Sequence, residues 1–330
     1  MTNINDVAKR AGVGVSTVSK ALNNYSGVSL KTKEKVYKAA KDLNYIPNAV
    51  AAALSSKESK RIAIVVFVNN DRQSIDELNM LYLMGSMDKA NDLNLEVITV
   101  FSNSFINMSK EEVIQYFRSL SISAMVVFGL HKEEVLFHEI MREEFIKCVL
   151  VDAPILGDST SYVMVDHLKA QYDIVKRAVE NDQSIKNILY LAGRRDGYVT
   201  DLRLQGIKKA TTECKVNLKY YYADFSEKMA YDLVSKHLDN SDLIVCASDL
   251  MAIGASRSLK KMGKDIAILG YDGISLLGYI DKEITSVTQD FYSLAQMAIA
   301  EAKNLIDGAK GSAILVDYDI KSIKYEDVIN

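Results

Sequence analysis

The chain has few of the residue patterns that build catalytic or metal centres. Its three cysteines, Cys148, Cys214 and Cys246, are odd in number, far apart and set among apolar neighbours. That spacing excludes a disulfide framework and a CxxC metal pattern, so buried thiols in a reducing compartment are expected. The four histidines, His131, His138, His167 and His237, never fall at metal-ligand spacing and are expected at the surface; no metal or cofactor is expected. There is no G-x-S-x-G, P-loop or H-E-x-x-H sequence. Gly12-Val13-Gly14 begins like a dinucleotide fingerprint, but Thr17 takes the third glycine position and no strand precedes it. An enzyme is therefore not expected. The start of the chain is polar, without a hydrophobic signal region, and no run of about 18 apolar residues occurs, so a cytoplasmic protein without a membrane partner is expected.

What is present is apolar material and an uneven charge. With 330 residues and 48% hydrophobic content, two or three domains are expected. Residues 1–60 hold ten Lys/Arg against four Asp/Glu, a net of +6, and the rest hold 30 against 39, a net of −9. A basic head on an acidic body suits a nucleic-acid contact at one end only.

The first residues read as two short helices around a tight corner. Ile4, Val7, Ala8 and Ala11 recur at helical spacing behind an Asn3/Asp6 capping signature, and Gly12-Val13-Gly14 then breaks the periodicity. In the second helix, from Val15, the buried side is Val18, Ala21 and Leu22, while Ser16, Thr17, Ser19 and Lys20 face outward as short or cationic groups that fit a DNA groove. A capped helical hairpin of an ordinary α/β protein would read the same way. Ser29 caps a third helix from about Lys31 to Leu43. Beyond Pro47, the stretch Ala49 to Ser56 has high helix propensity but is too short to hold a helix unaided.

From Arg61 strands and helices alternate. Strands are expected at 62–68, 95–101, 124–128, 148–151, 187–192, 218–222, 243–246, 267–270, 313–316 and 322–325, with helices between them and a long one at 292–307. Such alternation predicts parallel sheets covered on both faces, in two similar lobes. Ligands of such sheets sit at the carboxyl ends of the strands.

The run Asn3 to Val13 followed by Thr17-Val18-Ser19-Lys20-Ala21-Leu22-Asn23 resembles the head of the lactose-repressor (LacI/GalR) family, and the likeness extends along the chain. Asn3 and Gly14 stand where the family has Thr and Ser. The resemblance implies a three-helix helix-turn-helix headpiece (1–47), a hinge helix and linker (48–58), and a periplasmic-binding-protein-like core of two doubly wound parallel-sheet lobes (59–330). The first lobe would take about 61–160 and 291–318, and the second about 161–290 and 319–330. It implies DNA contacts from Val15, Ser16, Thr17, Lys20 and Asn23, with Leu54 of YIPNAVAAALSSK wedged into a base step of the minor groove. It places Asp152, Arg203, Phe225, Ser248 and Asp272 around an effector between the lobes, where a guanidinium, carboxylates and an aromatic face suit a sugar-like ligand. The chain departs from the family at Ala52, often Arg, at Ser248, usually Asn, and in the loop 69–76, which lacks the N-P-F-F pattern.

The resulting expectation is a homodimeric, DNA-binding transcriptional repressor tuned by a small ligand, without the terminal leucine heptad of a tetramer. A family member answering to a protein corepressor, and a sugar-binding or sugar-converting protein unrelated to DNA, are the other readings.

Overall fold

The computed structural model describes residues 3–22, 27–43, 45, 61–67 and 77–329. The chain divides into two units, 1–59 and 60–330. Asn23, Leu54, the hinge segment 48–58 and the loop 69–76 lie outside the described residues.

In the first unit, α1 (Ile4–Ala11), α2 (Val15–Leu22) and α3 (Leu30–Asp42) surround a small core of Val7, Ala8, Val18, Ala21, Val36, Ala39 and Ala40. The start of α1 is a reciprocal capping box: the Asn3 side chain accepts from the Asn5 and Asp6 amides, and Asp6 accepts from the Asn3 amide at 2.9 Å. Gly12 ends α1 at φ +67, a left-handed position where a β-carbon is costly, and the Val13 amide closes back on the Ala8 carbonyl at 3.1 Å. The Gly14 carbonyl then accepts from the Thr17 and Val18 amides, opening α2. Tyr37 of α3 donates its hydroxyl to the Ala21 carbonyl at 3.2 Å, pinning α3 to the last turn of α2.

The second unit contains two six-stranded sheets. The first, in the order β11-β5-β4-β3-β1-β2, is built from β1 (Arg61–Val66), β2 (Glu96–Phe101), β3 (Ile122–Phe128), β4 (Lys147–Val151), β5 (Thr160–Val165) and β11 (Ala313–Val316), all parallel. The second, β12-β10-β9-β8-β6-β7, is built from β6 (Asn187–Ala192), β7 (Asn217–Tyr222), β8 (Leu243–Cys246), β9 (Ala267–Asp272), β10 (Thr285–Thr288) and β12 (Asp319–Ser322); only its β10/β12 pair is antiparallel. The inner strands are nearly unbroken buried runs, RIAIVV and LIVC among them, as sheets covered on both faces require.

Helices α4 (Glu77–Asp92), α5 (Lys110–Ser119), α6 (Val135–Arg142) and α11 (Phe291–Ile306) cover the first sheet. The second carries α7 (His167–Asn181), α8 (Tyr198–Cys214), α9 (Glu227–His237) and α10 (Asp249–Met262), and the five-residue α12 (Tyr325–Ile329) packs on the turn Ser275–Tyr279. The backbone crosses between the lobes after β5, after β10 and after β11. Buried Glu301 of α11 secures the edge of the first sheet, accepting from Ser161 and Ser312 hydroxyls at 2.7 Å each.

Strands β5 and β10 were not anticipated. Strand β12 lies at 319–322 rather than 322–325, where the chain instead enters α12, and α8, expected from the sequence over Leu202 to Thr211, begins at Tyr198. Cys148 and Cys246 are buried, but Cys214 is only half-buried. None of the four histidines lies at the open surface: His167 is fully buried and the others are partly covered.

Candidate nucleic-acid interface and ligand cleft

The exposed side of α2 begins with Val15, which is 41% exposed, and Ser16, and ends with Lys20; Thr17 is half-buried. The opposite side, Val18 and Ala21, is the anchor in the headpiece core. Exposed Lys31, Lys35, Lys38 and Lys41 on α3 supply further positive charge to the same unit. A short helix with an apolar inner stripe, small polar groups outside and lysines beside it presents the chemistry of phosphate and base-edge contacts.

In the second unit the expected cleft residues sit at carboxyl ends of strands, as the topology dictates. Asp152 follows β4 at φ +64, Phe225 follows β7 at φ +57, Ser248 caps α10 after β8, and Asp272 ends β9 at φ +120. Arg203 reaches them from α8. Three of the five, Asp152, Arg203 and Asp272, belong to one buried polar cluster. The Arg203 guanidinium donates to the Ala247 carbonyl, lies 3.7 Å from Asp272 Oδ1, and stacks 3.6 Å from the Tyr271 ring centroid. Gln289 Nε2 donates to Asp272 Oδ1 at 3.1 Å.

The link from Asp152 runs through His167. His167 Nε2 is 2.9 Å from Asp152 Oδ1, and its Nδ1 is 2.8 Å from the Tyr271 hydroxyl. A carboxylate only accepts, so Nε2 carries the proton and Nδ1 accepts from Tyr271. Tyr82 of α4 donates to the other Asp152 oxygen at 3.3 Å. Burial lowers the His167 pKa, Arg203 lowers it further, and Asp152 opposes both, so the ring is neutral at physiological pH. Burial likewise holds the Asp272 carboxyl well above the usual carboxylate range, against the pull of Arg203. For Arg203, burial works against the charged form, but Tyr271, Asp272 and Asp152 outweigh it and raise its pKa.

Phe225 and Ser248 stand apart from this cluster. The Phe225 ring packs on the backbone at Gly193, where a β-carbon would meet its Cζ at 2.1 Å. Ser248 is 4% exposed and its hydroxyl accepts from the Met251 amide at 3.4 Å, the role of a helix cap. Its neighbour Asp249 has the larger structural part: Oδ2 accepts from the Gly273 and Ile274 amides at 2.6 and 2.9 Å, and Oδ1 from the Ser286 hydroxyl at 2.7 Å.

Sequence reasoning therefore missed His167, Tyr271, Tyr82 and Gln289, whereas Asp249 belongs to the Ser248-Asp249 motif that the family resemblance points to. The one sequence signal for His167 was its place directly after the helix-capping Asp166 at the end of an apolar strand.

The lobes also touch at two loops. His131, after β3, bridges Gly197, after β6; its Nδ1 is 2.8 Å from Asp196 Oδ2, and the Lys132 amide donates to the Asp196 carbonyl at 2.9 Å. Glu77, at the start of α4, accepts from the Ser275 amide and hydroxyl. Beside the first of these contacts lies a cavity of about 1010 Å³, bounded by Phe67, Asn103 and His131 of the first lobe and by Arg194, Tyr222 and Asp224 of the second.

The profile of bacterial regulatory proteins of the lacI family matches residues 3–48, and that of a periplasmic binding protein domain matches residues 139–310. The HTH-type transcriptional regulator MalR of Clostridium butyricum is 30% identical over 335 residues, covering 95% of this chain and 96% of the relative. A crystal structure of the Lac repressor dimer bound to operator and the anti-inducer ONPF superposes with a TM-score of 0.80 at 23% identity, over 98% of each chain. A transcriptional regulator CelR–cellobiose complex superposes with a TM-score of 0.72, also at 23% identity, over 98% of this chain and 100% of that one.

Proposed function

The chain belongs to the lacI family of DNA-binding bacterial transcription regulators, and from that premise we propose that it is a homodimeric repressor whose operator affinity is set by a neutral sugar-like ligand held between its lobes. The observation that carries this reading is the cluster in which Asp152, just after β4 of the first lobe, is joined through His167 to Tyr271, Arg203 and Asp272 of the second. A ligand can move an equilibrium only by binding one lobe arrangement better than another. Polar groups drawn from both lobes give it that difference, because they converge on one ligand only in one arrangement. A coupling of about 1 to 3 kcal/mol, or roughly 5- to 150-fold in operator affinity, is the usual scale. The cellobiose carried by one structural neighbour favours a saccharide as the class.

The DNA side of the proposal rests on α2 and predicts a specific loss. Lys20→Ala should weaken operator binding and lower the slope of log affinity against log salt by about 0.9 for each phosphate contact removed. Filter retention of the operator across a salt series measures both, and an unaltered slope with unaltered affinity would remove Lys20 from the interface. On the ligand side, a thermal-shift screen of sugars, sugar phosphates and nucleobases tests the class directly. A single headpiece spans few base pairs, and two-fold pairing doubles the site. Sedimentation should therefore give a dimer at micromolar concentration, and a monomer or a tetramer would contradict the proposal.

A further inference from the structure

The turn after Asp272 is held from both lobes. Asp272 ends β9 at φ +120 and Gly273 follows at φ +82, where a β-carbon would also meet Thr288 Cγ2 at 2.5 Å, so the turn needs its glycine. Three successive amides then go to two carboxylates. Those of Gly273 and Ile274 donate to Asp249 of the same lobe, at 2.6 and 2.9 Å, whereas that of Ser275 donates to Glu77 of the other lobe, at 3.0 Å to Oε1 and 3.1 Å to Oε2. The Ser275 hydroxyl adds a further bond, to Glu77 Oε2 at 2.8 Å. Both residues are half-buried, and a hydrogen bond to a charged acceptor is about twice as strong as a neutral one.

Glu77 is not free to follow the turn. It is the first residue of α4, and α4 is fixed to its own lobe at three places. Gly85 lies so close to α11 that a β-carbon would meet the Tyr292 carbonyl oxygen at 2.3 Å, the Tyr292 hydroxyl donates to Asp88 at 2.7 Å, and the Tyr82 ring lies 4.4 Å from that of Phe128 in β3. With the turn fixed by Asp249 and α4 fixed by α11 and β3, Ser275 parts from Glu77 when the lobes part. Different loops make the second interlobe contact: the Lys132 amide donates to the Asp196 carbonyl at 2.9 Å, and the Lys132 ammonium lies 2.5 Å from Asp201. Neither contact uses the side chains of Arg203, Asp152 or Asp272.

We infer that Glu77 and Ser275 form an interlobe latch, which sets how much of the joined arrangement exists before any ligand arrives. A ligand that binds only joined lobes has its apparent Kd divided by the joined fraction, so a weaker latch lowers affinity from residues the ligand never touches. That consequence rests on the ligand reading above; the latch itself does not.

The test is amide hydrogen exchange of the full-length protein without ligand, resolved to single residues. In Glu77→Ala the Ser275 amide should exchange faster, and so should that of Lys132 in the other contact, each by at least about tenfold. Gly273 and Ile274, still held by Asp249, should keep the parent's protection. Ser275→Ala, which removes the hydroxyl bond and keeps the amide ones, should give a smaller rise at Lys132. Faster exchange at Ser275 alone would make Glu77 a local cap of the turn and overturn the latch. Lost protection at Gly273 and Ile274 would overturn it too, because the turn itself would have come apart. Calorimetric titration with cellobiose and maltose reads the consequence: a saccharide that binds the parent should bind Glu77→Ala more weakly, by the factor by which the joined fraction falls. If neither saccharide binds the parent, it is the ligand reading that loses support, and the exchange result still decides the latch.

Discussion

Arg203→Ala is expected to abolish the effect of the ligand on operator binding while operator affinity itself persists, and to lower the stability of the core by about 3 kcal/mol. Arg203 is only 3% exposed, and its guanidinium is the cation that faces buried Asp272 and the donor to the Ala247 carbonyl. Breaking a buried pair by removing one partner leaves an uncompensated charge, which costs far more than the pair contributes when intact. The sign of the pH dependence follows from Asp272. Its folded pKa is already raised by burial and would rise further without Arg203. A carboxyl raised in the folded state binds a proton that the unfolded chain has released, so stability falls as pH rises from the unfolded value near 4 toward the folded one. The deficit of Arg203→Ala should therefore shrink on acidification. In the double variant with Asp272→Asn most of the stability should return, because the unpaired charge is gone, yet the ligand response should not. Thermal unfolding across that pH range, alongside operator retention with increasing saccharide, reads both. A variant that responds at the parent's ligand concentration would show that the ligand is bound elsewhere and would favour control by a partner protein.

The parts of the fold that were legible in the sequence are those decided by neighbours in the chain. The Asn3/Asp6 cap, the Gly12-Val13-Gly14 corner and the Ser29 cap act over three or four residues, and α1 and α2 begin and end where those signals stand, with α3 displaced by one residue. The inner strands were legible because burial on both faces demands an unbroken apolar run. Strand β10, Thr-Ser-Val-Thr, carries no such run. It is a strand because Thr285 and Ser286 satisfy their hydroxyls across it, on Ser322 and Asp249, 37 residues away in each direction. Strand β5 does carry a short apolar run, Tyr-Val-Met-Val, but it lies between a turn-rich segment and a helix, and its partners β4 and β11 on either side make it a strand.

The cleft divides along the same line. Asp152 and Asp272 were readable at strand ends, but their backbones add what sequence does not display. Of the nine non-glycine residues with positive φ among the described residues, four (Asp152, Asp224, Phe225 and Asp272) follow or end strands at the cleft. Positive φ is costly for a residue that carries a β-carbon, and such strain collects where a site is being shaped. The partners of His167 were beyond sequence reasoning because they lie 15 and 104 residues away. Its contribution depends on the chain crossing between lobes just before it.

Asp249→Ala is expected to destabilise the second lobe by about 3 kcal/mol or more and to weaken ligand binding without touching the ligand. Asp249 is fully buried, and the amides of Gly273 and Ile274 and the hydroxyl of Ser286 all point at its two oxygens. Each donor left buried without an acceptor costs about 1 to 3 kcal/mol, and the relief of no longer burying a carboxylate offsets only part of the sum. Gly273 and Ile274 directly follow Asp272, so releasing their amides frees the turn that aims the Asp272 side chain at Arg203. Burial lifts the Asp249 pKa to about 6 despite those hydrogen bonds, which pull it the other way. The folded chain therefore keeps a proton that the unfolded chain, near 4, has lost, and this residue's contribution to stability declines by about 2 kcal/mol between about pH 4.5 and about pH 7.5. Asp249→Asn removes that titration while keeping one acceptor, so its deficit relative to the parent should be larger at the acid end and narrow as pH rises. Urea midpoints for parent and variant at the two pH values give the difference free of every other carboxylate the two proteins share. A deficit that is equal at both would mean that Asp249 titrates normally in the folded chain and that burial does not raise its pKa.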